Sequence, residues 1–207
     1  MGRTLKEYST VSLKAEDLEG KIDFRKIFGR NGPVHIEVGC GKGTFVVNQA
    51  MAQPETNFLG IEWARKYYRY AVDRIGRWGL KNVRIIRTDA AQFLSEFVPD
   101  NSVECFHIYF PDPWPKKRHH KRRFLCRANF EQMLLCLVPK GRVQIATDYL
   151  EYFEQIQEVV CSYVEKVEVV GFVPTAGAEE GELVGTNYER KYLKEDREVY
   201  TIAIRKK

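Results

Sequence analysis

Val34-His35-Ile36-Glu37-Val38-Gly39-Cys40-Gly41-Lys42-Gly43-Thr44-Phe45-Val46-Val47 is the stretch on which the fold turns. Val34, Ile36 and Val38 alternate with His35 and Glu37, the two-residue period of a strand. Glycines at 39, 41 and 43 then allow a tight turn, and residues 44–51 read as a helix. A strand, a glycine turn and a helix open a βα unit whose turn offers bare backbone to a ligand. The glycines alone fit several nucleotide-binding turns, but two of these fail on spacing. The dinucleotide fingerprint needs a glycine where Thr44 stands, and a P-loop needs Lys directly before Ser or Thr, whereas Gly43 separates Lys42 from Thr44.

Outward from that unit the same alternation continues. Residues 57–62, 82–87, 103–110 and 142–147 read as strands, and 64–78, 90–97, 127–137 and 149–164 as helices. Such alternation predicts a Rossmann-like α/β domain, a mostly parallel open sheet with helices on both faces. The last two strand candidates, 166–172 and 198–205, have no predicted helix between them, so an antiparallel final strand is expected. Residues 174–185 carry three glycines and three glutamates and read as a flexible loop. The domain is expected over 33–207, behind an N-terminal extension, 1–32, holding a short helical candidate at 22–28.

The chain has 207 residues, 44% hydrophobic and 29% charged, an ordinary globular balance. No apolar run reaches the length of a membrane span, and Met1-Gly2-Arg3-Thr4-Leu5-Lys6 leads into no apolar leader. Five cysteines without a C-x-x-C pair point to reduced thiols, a cytoplasmic setting and no metal site. The net charge of +5 is uneven: six of eight residues from Lys116 to Arg123 are cations, with His119 and His120 between them. A local cluster of this kind suggests a polyanion.

Acids fall where strands end. Glu62 closes the second strand, placed to accept from both hydroxyls of a ribose. Asp89 follows the third, placed to accept from an exocyclic adenine amine, and Glu37 lies just before the glycines. An anionic lining suits S-adenosylmethionine, a sulfonium cation without phosphate, and would repel a pyrophosphate. The competing reading makes each acid a strand-end or cap residue, with Asp89 capping the helix at Ala90.

After the fourth strand comes Tyr109-Phe110-Pro111-Asp112-Pro113-Trp114-Pro115-Lys116-Lys117-Arg118-His119-His120-Lys121-Arg122-Arg123. Three prolines stiffen the loop around Asp112, and the basic run suits phosphate contacts. Phe110-Pro111-Asp112-Pro113-Trp114 with the following run, Ala146-Thr147-Asp148-Tyr149, and Thr186-Asn187-Tyr188-Glu189-Arg190-Lys191 together resemble the signature of the tRNA (guanine-N7)-methyltransferase family. The resemblance covers roughly Val34 to the end. It implies the class I methyltransferase fold, S-adenosylmethionine as cofactor, and methylation of guanine 46 in the tRNA variable loop. It also implies cofactor contacts at Glu37, Glu62, Asp89 and Asp112, beside the glycines 39, 41 and 43, and Asp112 as the catalytic acid. Substrate contacts would be Lys116, Asp148, Thr186, Asn187, Tyr188 and Glu189; RNA contacts would be Arg118, His119, His120, Lys121, Arg122 and Arg123. One departure stands out: Lys194-Glu195-Asp196-Arg197 lacks the glycine the family is expected to carry in that turn.

Guanine N7 has an in-plane lone pair and no hydrogen, so its methylation needs alignment more than a general base. Asp112 would face the charge that develops on the ring, and Asp148 and Glu189 would accept from N1–H and the 2-amino group. His35 and His107 lie inside strands, where packing is expected. Trp63, Tyr67, Tyr68 and Tyr70 are expected to form a packing stripe. Two other classes remain open from the sequence: a methyltransferase for proteins or small molecules, and an RNA-binding module with an inactive pocket.

Overall fold

The computed structural model describes residues 4–207; residues 1–3 of the expected extension lie outside the described residues. The chain divides into two compact units, one ending at Pro99 and one beginning at Asp100.

The first unit contains β1 (Ser12–Leu13), α1 (Phe24–Phe28), β2 (Val34–Val38), α2 (Thr44–Ala52), β3 (Asn57–Ile61), α3 (Arg65–Trp78), β4 (Val83–Ile86) and α4 (Ala90–Glu96). Its strands lie in the order β1-β4-β3-β2, all parallel. Every residue of β3 is buried, as parallel strands covered on both faces require. Gly60 makes room there, since a Cβ would come within 2.6 Å of Ile85 Cδ1 and 2.8 Å of Cys40 Sγ and both side chains would have to shift. The N-terminal segment packs into this unit. Val11 O accepts from Ile85 N at 2.8 Å, Ile22 N donates to Phe97 O at 2.8 Å, and Phe24 and Phe28 are buried. Helix α1 starts where Asp23 accepts from the Arg25 and Lys26 amides and stops at left-handed Gly29.

Helix α3 buries Ala71, Val72 and Ile75, and this short apolar stripe docks it. The aromatic stretch before it is not the packing stripe that the sequence suggests. Trp63 is 68% exposed and Tyr70 39%; Tyr68 is half-buried, its hydroxyl bonded to Ser12 Oγ.

The second unit contains β5 (Val103–Tyr109), α5 (Arg127–Cys136), β6 (Leu137–Thr147), α6 (Leu150–Cys161), β7 (Val167–Val170), α7 (Asn187–Lys194) and β8 (Tyr200–Lys206). A 3-10 turn spans Lys117–Arg122. The strand order is β5-β6-β8-β7, with β5 and β6 parallel and β8 antiparallel to both neighbours. The antiparallel final strand is as expected, but α7 lies where no helix was expected between the last two strands. Its only buried residue is Glu189, so it carries no apolar period to read. Strand β6 also starts earlier than its apolar run, because Leu137 pairs with Val103 before the register shifts ahead of Cys105.

Candidate functional site

In the first unit the junction of β2 and α2 is a run of left-handed glycines, with φ of +78° at Gly39, +54° at Gly41 and +70° at Gly43. Non-glycine residues enter this region at a cost, so three alternate glycines are what the turn demands. The Gly39 and Cys40 amides donate to Ile61 O at 2.9 and 3.0 Å, which fastens the turn to the end of β3. A Cβ at Gly39 or Gly41 would meet nothing within 4 Å, so this backbone borders open space. At Gly43 a Cβ would lie 3.2 Å from Ala71 Cβ, so that glycine serves the approach of α3.

The acids around the turn divide by their partners. Glu62 is buried; its Oε2 accepts from Gly41 N at 2.8 Å and its Oε1 from Ala64 N at 2.7 Å. It braces the turn against the end of β3. Glu37 is buried too, yet its Oε2 has no hydrogen-bond partner. Burial, and then the charge of Glu62, push the Glu37 carboxyl up to about 8. A buried acid oxygen without a partner is costly and calls for an explanation; a cationic ligand against the turn would supply one. Asp89 is exposed and caps α4, accepting from Gln92 N at 3.0 Å. His35 is pushed down to about 4 by burial and packs edge-on against Phe58, in keeping with a packing role.

The second unit carries the proline loop. Phe110 and Trp114, at φ of +50° and +45°, are left-handed residues that are not glycine. Both flank exposed Asp112, and such geometry persists only where the surroundings enforce it. Three contacts do so. The Phe110 amide donates to Ala146 O at 2.8 Å. Its ring meets Tyr192 with centroids 5.5 Å apart. The Arg122 guanidinium lies 4.8 Å from the Trp114 ring centroid.

Lys116, Lys117, Arg118, Lys121 and Arg122 are exposed, and His119 and His120 are half-buried. His120 Nε2 lies 3.3 Å from Glu151 Oε1 without the geometry of a hydrogen bond. Arg123 departs from the expectation for the run. It is buried where the 3-10 turn ends, donating to Pro113 O at 2.7 Å, Gln155 Oε1 at 2.7 Å and Glu151 Oε1 at 3.3 Å. Its guanidinium stacks 4.9 Å from the Tyr152 ring centroid. This side chain holds the loop from beneath and is spent on the protein itself, which the sequence alone could not distinguish from its exposed neighbours.

Asp148 follows β6 and does not cap α6, whose N-cap is Tyr149. Its Oδ2 accepts from Arg197 Nη1 at 2.7 Å, and Arg197 lies 4.7 Å from the Tyr192 ring centroid. The turn that lacks the expected glycine is nonetheless left-handed, with Asp196 at φ +52°. Aspartate is among the few residues that tolerate this.

Thr186 caps α7, its hydroxyl accepting from Glu189 N at 3.1 Å. The Glu189 carboxylate, 1% exposed, accepts from the amides of Leu183, Val184 and Gly185 at 2.7, 2.9 and 2.7 Å. Arg190 adds bonds to Glu182 at 2.8 Å and Gly177 O at 3.1 Å. The loop expected to be flexible is therefore tied down by the helix that follows it. Asn187 and Tyr188 face outward from that support.

A family model described as "Putative methyltransferase" matches residues 31–202. A tRNA (guanine-N(7)-)-methyltransferase of Rhodopirellula baltica is 35% identical over 93% of this chain and 73% of its own length. The chain belongs to the tRNA (guanine-N(7)-)-methyltransferase family. An enzyme of that name from Streptococcus thermophilus is 32% identical, over 93% of this chain and 88% of its own. Among solved structures, an antibiotic-related methyltransferase superposes with a TM-score of 0.59 at 19% identity, covering 89% of this chain and 92% of its own. A SAM-dependent methyltransferase from Aquifex aeolicus gives a TM-score of 0.54 at 16% identity, covering 88% and 86%. These likenesses establish the methyltransferase α/β fold. Among the described residues no helix is long and apolar enough to cross a membrane.

Proposed function

We propose that this protein transfers a methyl group from S-adenosylmethionine to N7 of guanine 46 in the variable loop of tRNA, in the cytoplasm. Membership of the family supports the reaction; the buried, unpartnered oxygen of Glu37 beside an open glycine turn is the observation that supports the cofactor. Glu37, Glu62, Gly39, Gly41 and Gly43 would hold a cation that carries no phosphate, with Asp89 accepting from the adenine amine. Trp63, exposed next to Glu62, would be available for stacking on the adenine.

When bound, the cofactor supplies an electrophilic methyl group on a sulfonium sulfur. The chain's own residues then orient the base. N7 presents a lone pair and no proton, so no residue has to act as a base before attack. Asp112 offers a carboxylate to the positive charge that develops on the ring. Asp148 accepts from the guanine N1–H and 2-amino group, a donor pair that adenine lacks, in the charge-assisted form. Lys116 and the exposed cations Arg118, Lys121 and Arg122 contact phosphates. Glu189 acts through the loop it holds, setting Thr186, Asn187 and Tyr188.

The test is to incubate the protein with methyl-labelled S-adenosylmethionine and an unmodified tRNA transcript, then map the label. Label at N7 of guanine 46 is expected. Label on protein alone, or at another tRNA position, would overturn the reading.

A further inference from the structure

The basic run belongs to the second unit, but the first unit has a cationic surface of its own. Helix α3 starts with Arg65 and Lys66, has no acid in its first turn, and continues with Arg69. Its only acid, Asp73, is buried and committed to Lys6 N at 3.2 Å and to Arg77 at 3.0 Å. Arg65, Lys66 and Arg69 are exposed. Cations at a helix N-terminus oppose the positive end of its dipole, so they are not there to stabilise the helix.

Beside them is a cavity of about 240 Å³, lined among others by Lys6, Lys14, Arg69 and Arg87 with the hydroxyls of Ser12 and Tyr68. Glu7 and Glu16 also line it, leaving four cations to two acids. Arg87 is fixed by its bond to Trp63 O at 3.3 Å. The N-terminal segment thus supplies two of the four cations, and α3 and the end of β4 supply the others. A cationic surface around a recess that carries two hydroxyls, without an exposed acid on the helix, matches a phosphodiester backbone.

We infer that the α3 face and this recess are a second RNA-binding surface, which takes the phosphate backbone of the tRNA substrate independently of the 116–122 run. The inference rests on tRNA being the substrate. Contacts of this type set affinity and register without reading bases, and their signature is dependence on salt.

The test uses the full chain and an unmodified tRNA transcript, with affinity measured by fluorescence anisotropy across a salt series. In a triple variant, Arg65→Ala, Lys66→Ala and Arg69→Ala, the steepness with which log affinity falls against log salt is expected to drop by about 2–3 units. Lys14→Ala is expected to lower it by about 0.7–0.9, which tests the recess without touching the helix. S-adenosylmethionine affinity and melting temperature should match the parent protein, and KM for tRNA should rise with kcat kept. Unchanged slopes in both variants would overturn the inference; that result is also what a surface for an acidic protein partner would give. A parent protein that methylates no tRNA would instead defeat the proposed reaction, and the binding slopes would still decide this surface.

Discussion

The glycine turn of the first unit and the proline loop of the second both bend the backbone into left-handed geometry, by opposite means. In the turn Gly39, Gly41 and Gly43 adopt positive φ because nothing in their side chains opposes it, and the turn borders open space. In the loop Phe110 and Trp114 adopt it against their side chains, and they are held there by Ala146, Tyr192, Arg122 and, through Pro113, by Arg123. The first arrangement makes room. The second aims a side chain, because rigid, enforced geometry fixes where Asp112 points. The charges follow the same division: the turn keeps a buried acid oxygen without a hydrogen-bond partner, whereas the loop carries its acid exposed, with the cationic run next along the chain.

The largest effect is expected at the aimed residue. Asp112→Asn should lower the single-turnover methylation rate by about 10²–10³, the range for losing one preorganised electrostatic group. Affinity for tRNA should change little. A collapse of tRNA binding with a normal rate at saturation would make Asp112 a binding residue instead.

Next is the residue that holds the loop. Arg123→Ala removes charged hydrogen bonds to Pro113 O and Gln155, worth roughly 1.5–3 kcal/mol in net stability. Urea unfolding should show that loss, and the variant should lose methylation rate at temperatures where it remains folded. Arg123→Lys should restore little, since a point charge cannot serve three acceptors and a ring face at once. If Arg123→Ala changes only the salt dependence of tRNA binding, the side chain contacts RNA after all.

These two residues also show what a sequence can and cannot reveal. Strands, glycine turn and acids were legible because a period of two, a break and a strand end are local features. Arg123 was not, because six neighbouring cations look alike and only the end of the 3-10 turn sends one of them inward. Glu189 was misread for a similar reason: its partners, Leu183 to Gly185, become neighbours only once α7 forms. Trp63 was read as packing from aromatic spacing, yet α3 docks through the small stripe Ala71, Val72 and Ile75 and leaves Trp63 outside. Helix α7 lacked an apolar face to announce it.

The turn is sharpened by Glu37. Its carboxyl is raised from 4.5 to about 8 in the folded protein. The fold therefore binds more protons than the unfolded chain between those values, and the free protein loses stability as pH rises through that window. Glu37→Gln should abolish this dependence and stabilise the free protein at pH 8 by roughly 1–3 kcal/mol, while weakening S-adenosylmethionine. In the parent protein, affinity for the cationic cofactor should rise with pH towards 8, as Glu37 ionises, with proton release on binding measurable by calorimetry in two buffers. A variant no more stable than the parent at pH 8 would mean that Glu37 is not strained.

The smallest expected effect separates left-handed geometry that is enforced from geometry that is only tolerated. Asp196 has φ +52° in a turn without glycine, and its short side chain has no ring to pack as Phe110 packs against Tyr192. Its amide bonds back to Leu193 O at 3.1 Å, and the turn delivers Arg197 to Asp148. Asp196→Gly removes the Cβ conflict and should raise stability by a few tenths to about 1 kcal/mol, with methylation unchanged. Phe110→Gly relieves the same dihedral conflict but deletes the ring that meets Tyr192. It should therefore lose stability or rate, because there the side chain is what holds the backbone in place. Thermal melts of the two variants, run beside methylation assays, give opposite signs if the distinction is right. Equal stabilisation of both, with activity kept, would show that Phe110 is as loosely held as Asp196 and that the loop does not owe its shape to packing.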